Sequence, residues 1–268
     1  MRYLQLSTLL VVLTVVLAGC SGGGVPDGTA APSTDGADTT GQNDGGSASE
    51  SDSLSLSAAD SQLRAAGSFT TEWSYTIDGT DGILAVSDRY AVDLDANRSV
   101  ERFSSSTPEG ATGYEIFIAD GTSYTRQGEG EQAFYQVSDQ SPNVFQSATG
   151  RASGFYGSLE EDAQRVGRET FDGVTVTRYE YTDADAWQTY NQGLVSGTFD
   201  SDENVTVTDF EIATLVDNDG IARLTTWTLT GESESGETVS IEWRYSLTDI
   251  GSTTVEDPDW LAAAQQQA

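Results

Sequence analysis

The sequence predicts a mainly antiparallel β (α+β) fold, a curved half-open β-barrel of about ten strands with inserted helices. Three observations lead there. Segments with large apolar residues at every second position recur between residues 68 and 248. Turn-forming groups such as Asp-Gly, Pro-Glu-Gly and Asn-Asp-Gly separate them, and two stretches switch to a helical period.

The ordered part begins near Ser57. Residues 57–67 predict a short helix with Ser57 as N-cap, small residues inside and Gly67 at the stop. In the next segment Phe69, Thr71, Trp73, Tyr75 and Ile77 share one face at period two, a half-buried strand that runs into an Asp-Gly turn. Further strands are predicted over 83–93, 98–105, 114–119, 123–127 and 132–137. Their short connections imply an antiparallel meander. Between residues 141 and 164 the apolar positions Val144, Ala148, Ala152, Phe155 and Leu159 take helical steps, interrupted by Gly150, Gly154 and Gly157. Strands resume over 165–170 and 174–182 around Phe171-Asp172-Gly173. A second helix is expected after Asp183, with Trp187, Tyr190 and Leu194 on one face. Strands over 204–217, 221–230 and 238–248 follow, and Pro258-Asp259-Trp260-Leu261 opens a terminal helix. In the last strand Ile241, Trp243, Tyr245 and Leu247 face one way, Glu242, Arg244 and Ser246 the other.

Upstream of this domain, Arg2, an apolar run from about Leu9 to Ala18 and small residues have the layout of a signal peptide. The run is too short to span a bilayer comfortably. Leu17-Ala18-Gly19-Cys20 resembles the lipobox of exported lipoproteins, in which the cysteine is lipidated and becomes the first mature residue. Cys20 is the only cysteine, so that reading leaves no disulfide and no thiol chemistry; ordinary secretion with a free thiol is the alternative. No Arg-Arg pair stands near the start, which favours the general secretory route. Residues 21–56 are Gly, Ser, Thr, Asp and Ala with Pro26 and Pro32, too polar to bury a core, and form a tether. As a flexible coil of about 36 residues, it reaches roughly 30–36 Å.

Composition narrows the chemistry. The 268 residues hold 43 Asp and Glu against 12 basic residues, a net charge of −31. All twelve are Arg; there is no Lys and no His. Such a surface repels nucleic acid and anionic headgroups. Acid excess without lysine looks like an extreme halophile's protein, in which molar salt cuts the Debye length to about 3 Å and removes most self-repulsion. Without His and Lys no Ser-His or Cys-His dyad, no Schiff-base lysine and no zinc site of the usual His/Cys type can be built. No cofactor is expected, and any catalysis falls to carboxylates.

A resemblance follows from the order of elements. The lipobox and tether, the helix running into Gly67-Ser68-Phe69-Thr70, the meander, the Gly-rich helical insertion, the run Val166-Gly167-Arg168-Glu169-Thr170-Phe171-Asp172-Gly173-Val174-Thr175-Val176-Thr177-Arg178-Tyr179 and the close Trp243-Arg244-Tyr245-Ser246-Leu247-Thr248-Asp249-Ile250-Gly251 together resemble haloarchaeal lipoproteins of unknown function. Their architecture is similar to the LolA/LolB and LppX/LprG lipoprotein-carrier group. The resemblance implies residues 1–19 as signal peptide, 20–56 as lipid-anchored cysteine and tether, and 57–268 as a LolA-like β-rich domain. It also implies an apolar cavity for acyl chains. Phe69, Trp73, Tyr75, Trp227, Trp243 and Tyr245 are the candidates for the cavity wall and residues 141–164 for a lid; a closed core of the same aromatics is the alternative.

Smaller signals carry less. Asp93-Leu94-Asp95-Ala96-Asn97 and Asp217-Asn218-Asp219-Gly220 resemble pieces of calcium loops, but the first lacks the sixth-position Gly, the second has Leu215 at its first ligand position, and neither has the closing Glu. No metal is expected. Asn97-Arg98-Ser99 and Asn204-Val205-Thr206 are glycosylation sequons. Pairs such as Glu160/Glu161 and Asp257/Asp259 arise by chance in so acidic a chain.

Three functions follow. The first is a protein anchored by lipid to the outer face of the cytoplasmic membrane that binds an apolar ligand in a curved sheet. The second is a cell-envelope structural or interaction module with a closed core, its protein partner undefined. The third, an acid-dependent hydrolase, needs two carboxylates about 5–10 Å apart in a cleft; the chain is expected not to be an enzyme.

Overall fold

A computed structural model describes residues 59–79, 82–128, 130–139, 142–150, 163–182, 205–233 and 235–267, all within one unit, Glu50–Ala268. The expected signal peptide, Cys20, the tether, the Ser57 cap, Asn204, the second helical insertion and residues 151–162 of the first lie outside them.

The described elements are α1 (Ala59–Ala66), β1 (Ser68–Gly79), β2 (Gly82–Asp93), β3 (Arg98–Thr107), β4 (Gly110–Ala119), β5 (Thr122–Gln127), β6 (Phe134–Ser138), α2 (Val144–Thr149), β7 (Gln164–Phe171), β8 (Val174–Thr182), β9 (Thr206–Asp217), β10 (Ala222–Glu232), β11 (Thr238–Thr248) and α3 (Leu261–Gln265). All eleven strands join one antiparallel sheet in the order β6-β5-β4-β3-β2-β1-β11-β10-β9-β8-β7. The sheet is open, with β6 and β7 as its edges. Two meanders thus meet at the centre, where β1 pairs β11 from Thr70↔Thr248 to Asp78↔Ser240.

Local chemistry sets the turns. Asp120-Gly121 and Asp172-Gly173 both have positive φ, 54° and 77°, then 49° and 75°. That is the two-residue hairpin geometry that matches strand twist, and it joins Ala119↔Thr122 and Phe171↔Val174. Gly67 ends α1 at φ +75°, and its carbonyl accepts the Leu94 amide at 2.7 Å. Asn143 caps α2 by accepting the Gln146 amide at 3.2 Å.

Among the boundaries that differ from the sequence reading, two have a clear local cause. β4 starts at Gly110, four residues before Tyr114, because pairing with β3 continues to Thr107↔Gly110 and holds residues whose own strand propensity is low. β6 starts at Phe134 because Gly130–Gln132 forms a 3₁₀ turn closed by the Ala133 amide on the Gly130 carbonyl at 3.3 Å.

The two faces of the sheet are covered differently. On one, α1 and α2 pack Leu63, Val144, Phe145 and Ala148 against Phe69, Val92, Ile118 and Leu247. Phe145 meets Phe69 edge-on at 5.8 Å and lies under Arg64, whose guanidinium is 3.6 Å from its ring centroid. On the other, the segment after β11 folds back so that Val255, Trp260 and Ala264 bury Ala91, Val100, Phe117 and Ala119. Each fully buried large side chain stabilises the fold by about 1.5–3 kcal/mol. At the edges a bulge between Arg165 and Gly167 breaks the ladder of β7, and Val166 there and Phe134 on β6 are exposed.

Candidate functional site

Alternation puts Phe69, Thr71, Trp73, Tyr75 and Ile77 of β1 on the helix-covered face, and the register carries that face across the sheet. Tyr75 stands opposite Trp243, Trp243 opposite Trp227, Trp227 opposite Ile212, and Ile212 opposite Tyr181. The result is one apolar row over β1, β11, β10, β9 and β8. Trp73 pairs with Tyr245 in the next row. Trp243 and Tyr245 lie nearly parallel at 6.3 Å, and Trp227 meets Tyr75 at 6.3 Å and Phe210 at 6.2 Å.

Of the six aromatics singled out from the sequence, Tyr75, Trp227, Trp243 and Tyr245 share this cluster with Phe210, Ile212, Leu229 and Ile241. Phe69 belongs instead to the cluster beneath α1 and α2. Five of the six are buried, and Trp73 is half-buried at the margin together with Ile77, Leu84, Tyr179, Tyr181 and Val207. Asn97 occupies the exposed β2–β3 turn at φ +51°.

A polar group shares the same face and escaped the sequence reading. Asp88, opposite both Trp73 and Phe103, is 2% exposed, and Glu101, opposite Tyr90, is 8% exposed. Glu101 accepts the Tyr114 hydroxyl at 2.8 Å, and the Tyr114 ring stacks on Phe103 at 4.9 Å. Burial, and then the charge and hydrogen bond of Glu101, push the Tyr90 hydroxyl far above the usual phenol range. The available signal was an acid at the apolar phase of a strand, Asp88 between Val86 and Tyr90, hidden among 43 acids. The cluster makes Glu101 an acceptor held by phenols.

The calcium-like segments do other work. The Asp217 carboxylate accepts the amides of Asp219 and Ile221 and the Arg223 guanidinium, and Asp93 accepts the Ala96 amide at 2.9 Å. Both close turns. Among the described residues no group of three or more Asp, Glu, Cys or His is placed to hold a metal, and no helix is long and apolar enough to cross a membrane.

No curated protein matches the chain. Solved structures similar to it include LprF from Mycobacterium bovis, 10% identical with TM-score 0.32, covering 76% of this chain and 98% of that one. The Pseudomonas aeruginosa MucA/MucB complex is 13% identical with TM-score 0.26, covering 75% and 60% respectively. A putative outer membrane lipoprotein-sorting protein domain from Vibrio parahaemolyticus is 10% identical with TM-score 0.19, covering 68% and 87%. Residues 5–264 match a family of unknown function, DUF7537, and the chain belongs to that family.

Proposed function

We propose that this protein is an exported, lipid-anchored binding module that holds an apolar chain against the aromatic face of its sheet. One observation carries the reading: the row Tyr75, Trp243, Trp227, Ile212 and Tyr181 is continuous across five strands and is flanked by half-buried Trp73, Ile77, Leu84 and Tyr179. Half-buried aromatics at the margin of a packed apolar row offer a chain somewhere to lie. An acyl or isoprenoid chain that buries about 300 Å² there gains roughly 7 kcal/mol. Lipidation at Cys20 and a tether over residues 21–56 would hold the domain within reach of the membrane that supplies such chains. Catalysis is not part of the proposal.

Native mass spectrometry with lipid extraction tests it, on protein purified from its host in molar salt. A stoichiometric apolar ligand that is lost in Trp73→Glu is the expected result; Trp73 is chosen because it is only half-buried. A clean apo mass with no uptake of added lipid overturns it. The burial of the other five aromatics favours a second reading, a closed core with function on the outer surface, and that outcome would establish it.

A further inference from the structure

The opposite face of the sheet carries a cavity of about 740 Å³ between the strands and the segment that follows β11. Its floor is the run Arg89, Arg102, Glu115 and Arg126 of one cross-strand row: Arg89 on β2 faces Glu72 on β1 to one side and Arg102 on β3 to the other, Arg102 faces Glu115 on β4, and Glu115 faces Arg126 on β5. All four line the cavity. Directly opposed side chains on neighbouring strands have Cβ atoms only about 4.5–5.5 Å apart.

The charges of this row do not balance. Glu115, with its side chain 10% exposed, accepts from Arg102 and from Arg126, each at 3.3 Å. One carboxylate thus serves two guanidinium groups. Arg89 stands between Glu72 on one side and Arg102 on the other, and it makes no ion pair with a described residue. Like charges placed opposite each other destabilise a sheet. In a chain with 43 acids and 12 arginines, composition does not explain two arginines set side by side in one row.

The wall adds recognition chemistry. Trp260 lines the cavity, is 7% exposed, and its indole N–H has no hydrogen-bond partner among the described residues. The Arg126 guanidinium lies 5.7 Å from its ring centroid. Thr70 and Thr253 also line the cavity, and their hydroxyls bond each other at 3.0 Å. The overlying segment also brings Asp249, Glu256, Asp257 and Asp259, of which Asp257 is bound by Arg98. A guest therefore meets cations on the floor and carboxylates on the rim.

We propose that this cavity binds a ligand through one phosphate- or sulfate-type oxyanion clamped between Arg89 and Arg102, with the neutral or cationic remainder toward Trp260 and the rim acids. Guanidinium forks match tetrahedral oxyanions with paired, charge-assisted hydrogen bonds. An oxyanion between the two arginines replaces their repulsion with two attractions, and the rim excludes ligands carrying negative charge at both ends. The cavity lies across the sheet from the aromatic row, so the two sites are independent.

Isothermal titration of the full chain, at constant molar chloride, with inorganic phosphate and with sulfate tests the proposal. A parallel arm measures binding to phosphatidylglycerol vesicles, to separate a free anion from a lipid headgroup. Saturable binding in either arm that weakens about tenfold or more in Arg89→Gln is the expected result. Arg89 is exposed, and its substitution relieves Arg102 of a like charge while removing the cation opposite Glu72, so the variant is expected to melt close to the parent. Arg178→Gln, on a distant strand, leaves binding unchanged. Absence of saturable binding in both arms, or equal binding by Arg89→Gln, overturns the proposal.

Discussion

Arg223 donates through Nε to Asp217 at 2.7 Å, and the two side chains are only 11% and 5% exposed. The other oxygen of Asp217 accepts the amides of Asp219 and Ile221 at 3.0 and 2.9 Å, so one carboxylate closes the β9–β10 turn and neutralises a buried cation. Removing one partner of such a pair leaves an uncompensated charge and costs about 3–5 kcal/mol. Asp217→Ala is expected to lower Tm by about 6–20 °C in molar salt. Replacing both residues, Asp217→Leu with Arg223→Met, is expected to cost less than Asp217→Ala alone, and a double variant that merely sums the two losses would contradict this coupling.

Gly231 tests steric closure at the opposite end of the same hairpin. A Cβ there would stand 2.6 Å from Val205 Cγ1 and 2.9 Å from the Thr206 carbonyl oxygen, and the carbonyl belongs to a paired strand that cannot retreat. Gly231→Ala is expected to cost about 1–3 kcal/mol. Urea unfolding at fixed molar salt measures it. A midpoint equal to the parent's would show that the bulge beside Gly231 absorbs the methyl group.

Tyr90 gives an alkaline signature. Its folded pKa is raised, so its contribution is fully present below the ordinary phenol value near 10 and declines as pH rises above it. In that range the unfolded chain releases a proton that the folded chain keeps, and stability falls at a slope approaching about 1.4 kcal/mol per pH unit. Tyr90→Phe is expected to flatten the stability curve between about pH 10 and 12 relative to the parent. Parallel curves would show that Tyr90 ionises normally.

Salt dependence has a local centre. Arg178 on β8 touches Glu180 on its own strand and lies 3.8 Å from Glu169 on β7 and 3.6 Å from Glu211 on β9. The hydrogen bond with Glu180 raises its already high pKa, so it stays a cation throughout. With a net charge of −31 the parent is expected to lose near-UV circular dichroism as salt falls from molar to millimolar. Arg178→Gln leaves three carboxylates facing one another and is expected to move that transition to higher salt. A spectrum that ignores salt in both proteins would rule out the halophilic reading.

The strands were legible because their chemistry is local. Phe69 to Ile77 and Ile241 to Leu247 alternate so regularly that only a strand with one buried face satisfies them. Asp172-Gly173 announced its turn in the same way. The pairing of β1 with β11 was not legible, since nothing near Trp73 names Tyr245 as its neighbour. Nor was the arginine row: Arg89, Arg102 and Arg126 each occupy an ordinary outward position, and only the meander's register brings them into line. The aromatic candidates divided for a related reason. Phe69 and Trp73 share a face of one strand, but the two helices cover only the end near Phe69.

That central pairing also sets a timetable. Ser68 and its neighbours are synthesised early, whereas their hydrogen-bonding partners in Thr238–Thr248 come almost at the end. At ordinary elongation rates the interval is roughly 10–35 s. The first six strands can zip together meanwhile, but β1 keeps one unpaired border, with Trp73 and Tyr75 beside it. The nascent half-sheet is thus a template for intermolecular pairing until the last strand arrives. A chain cut short before Thr238 is therefore an aggregation hazard instead of a smaller version of the domain.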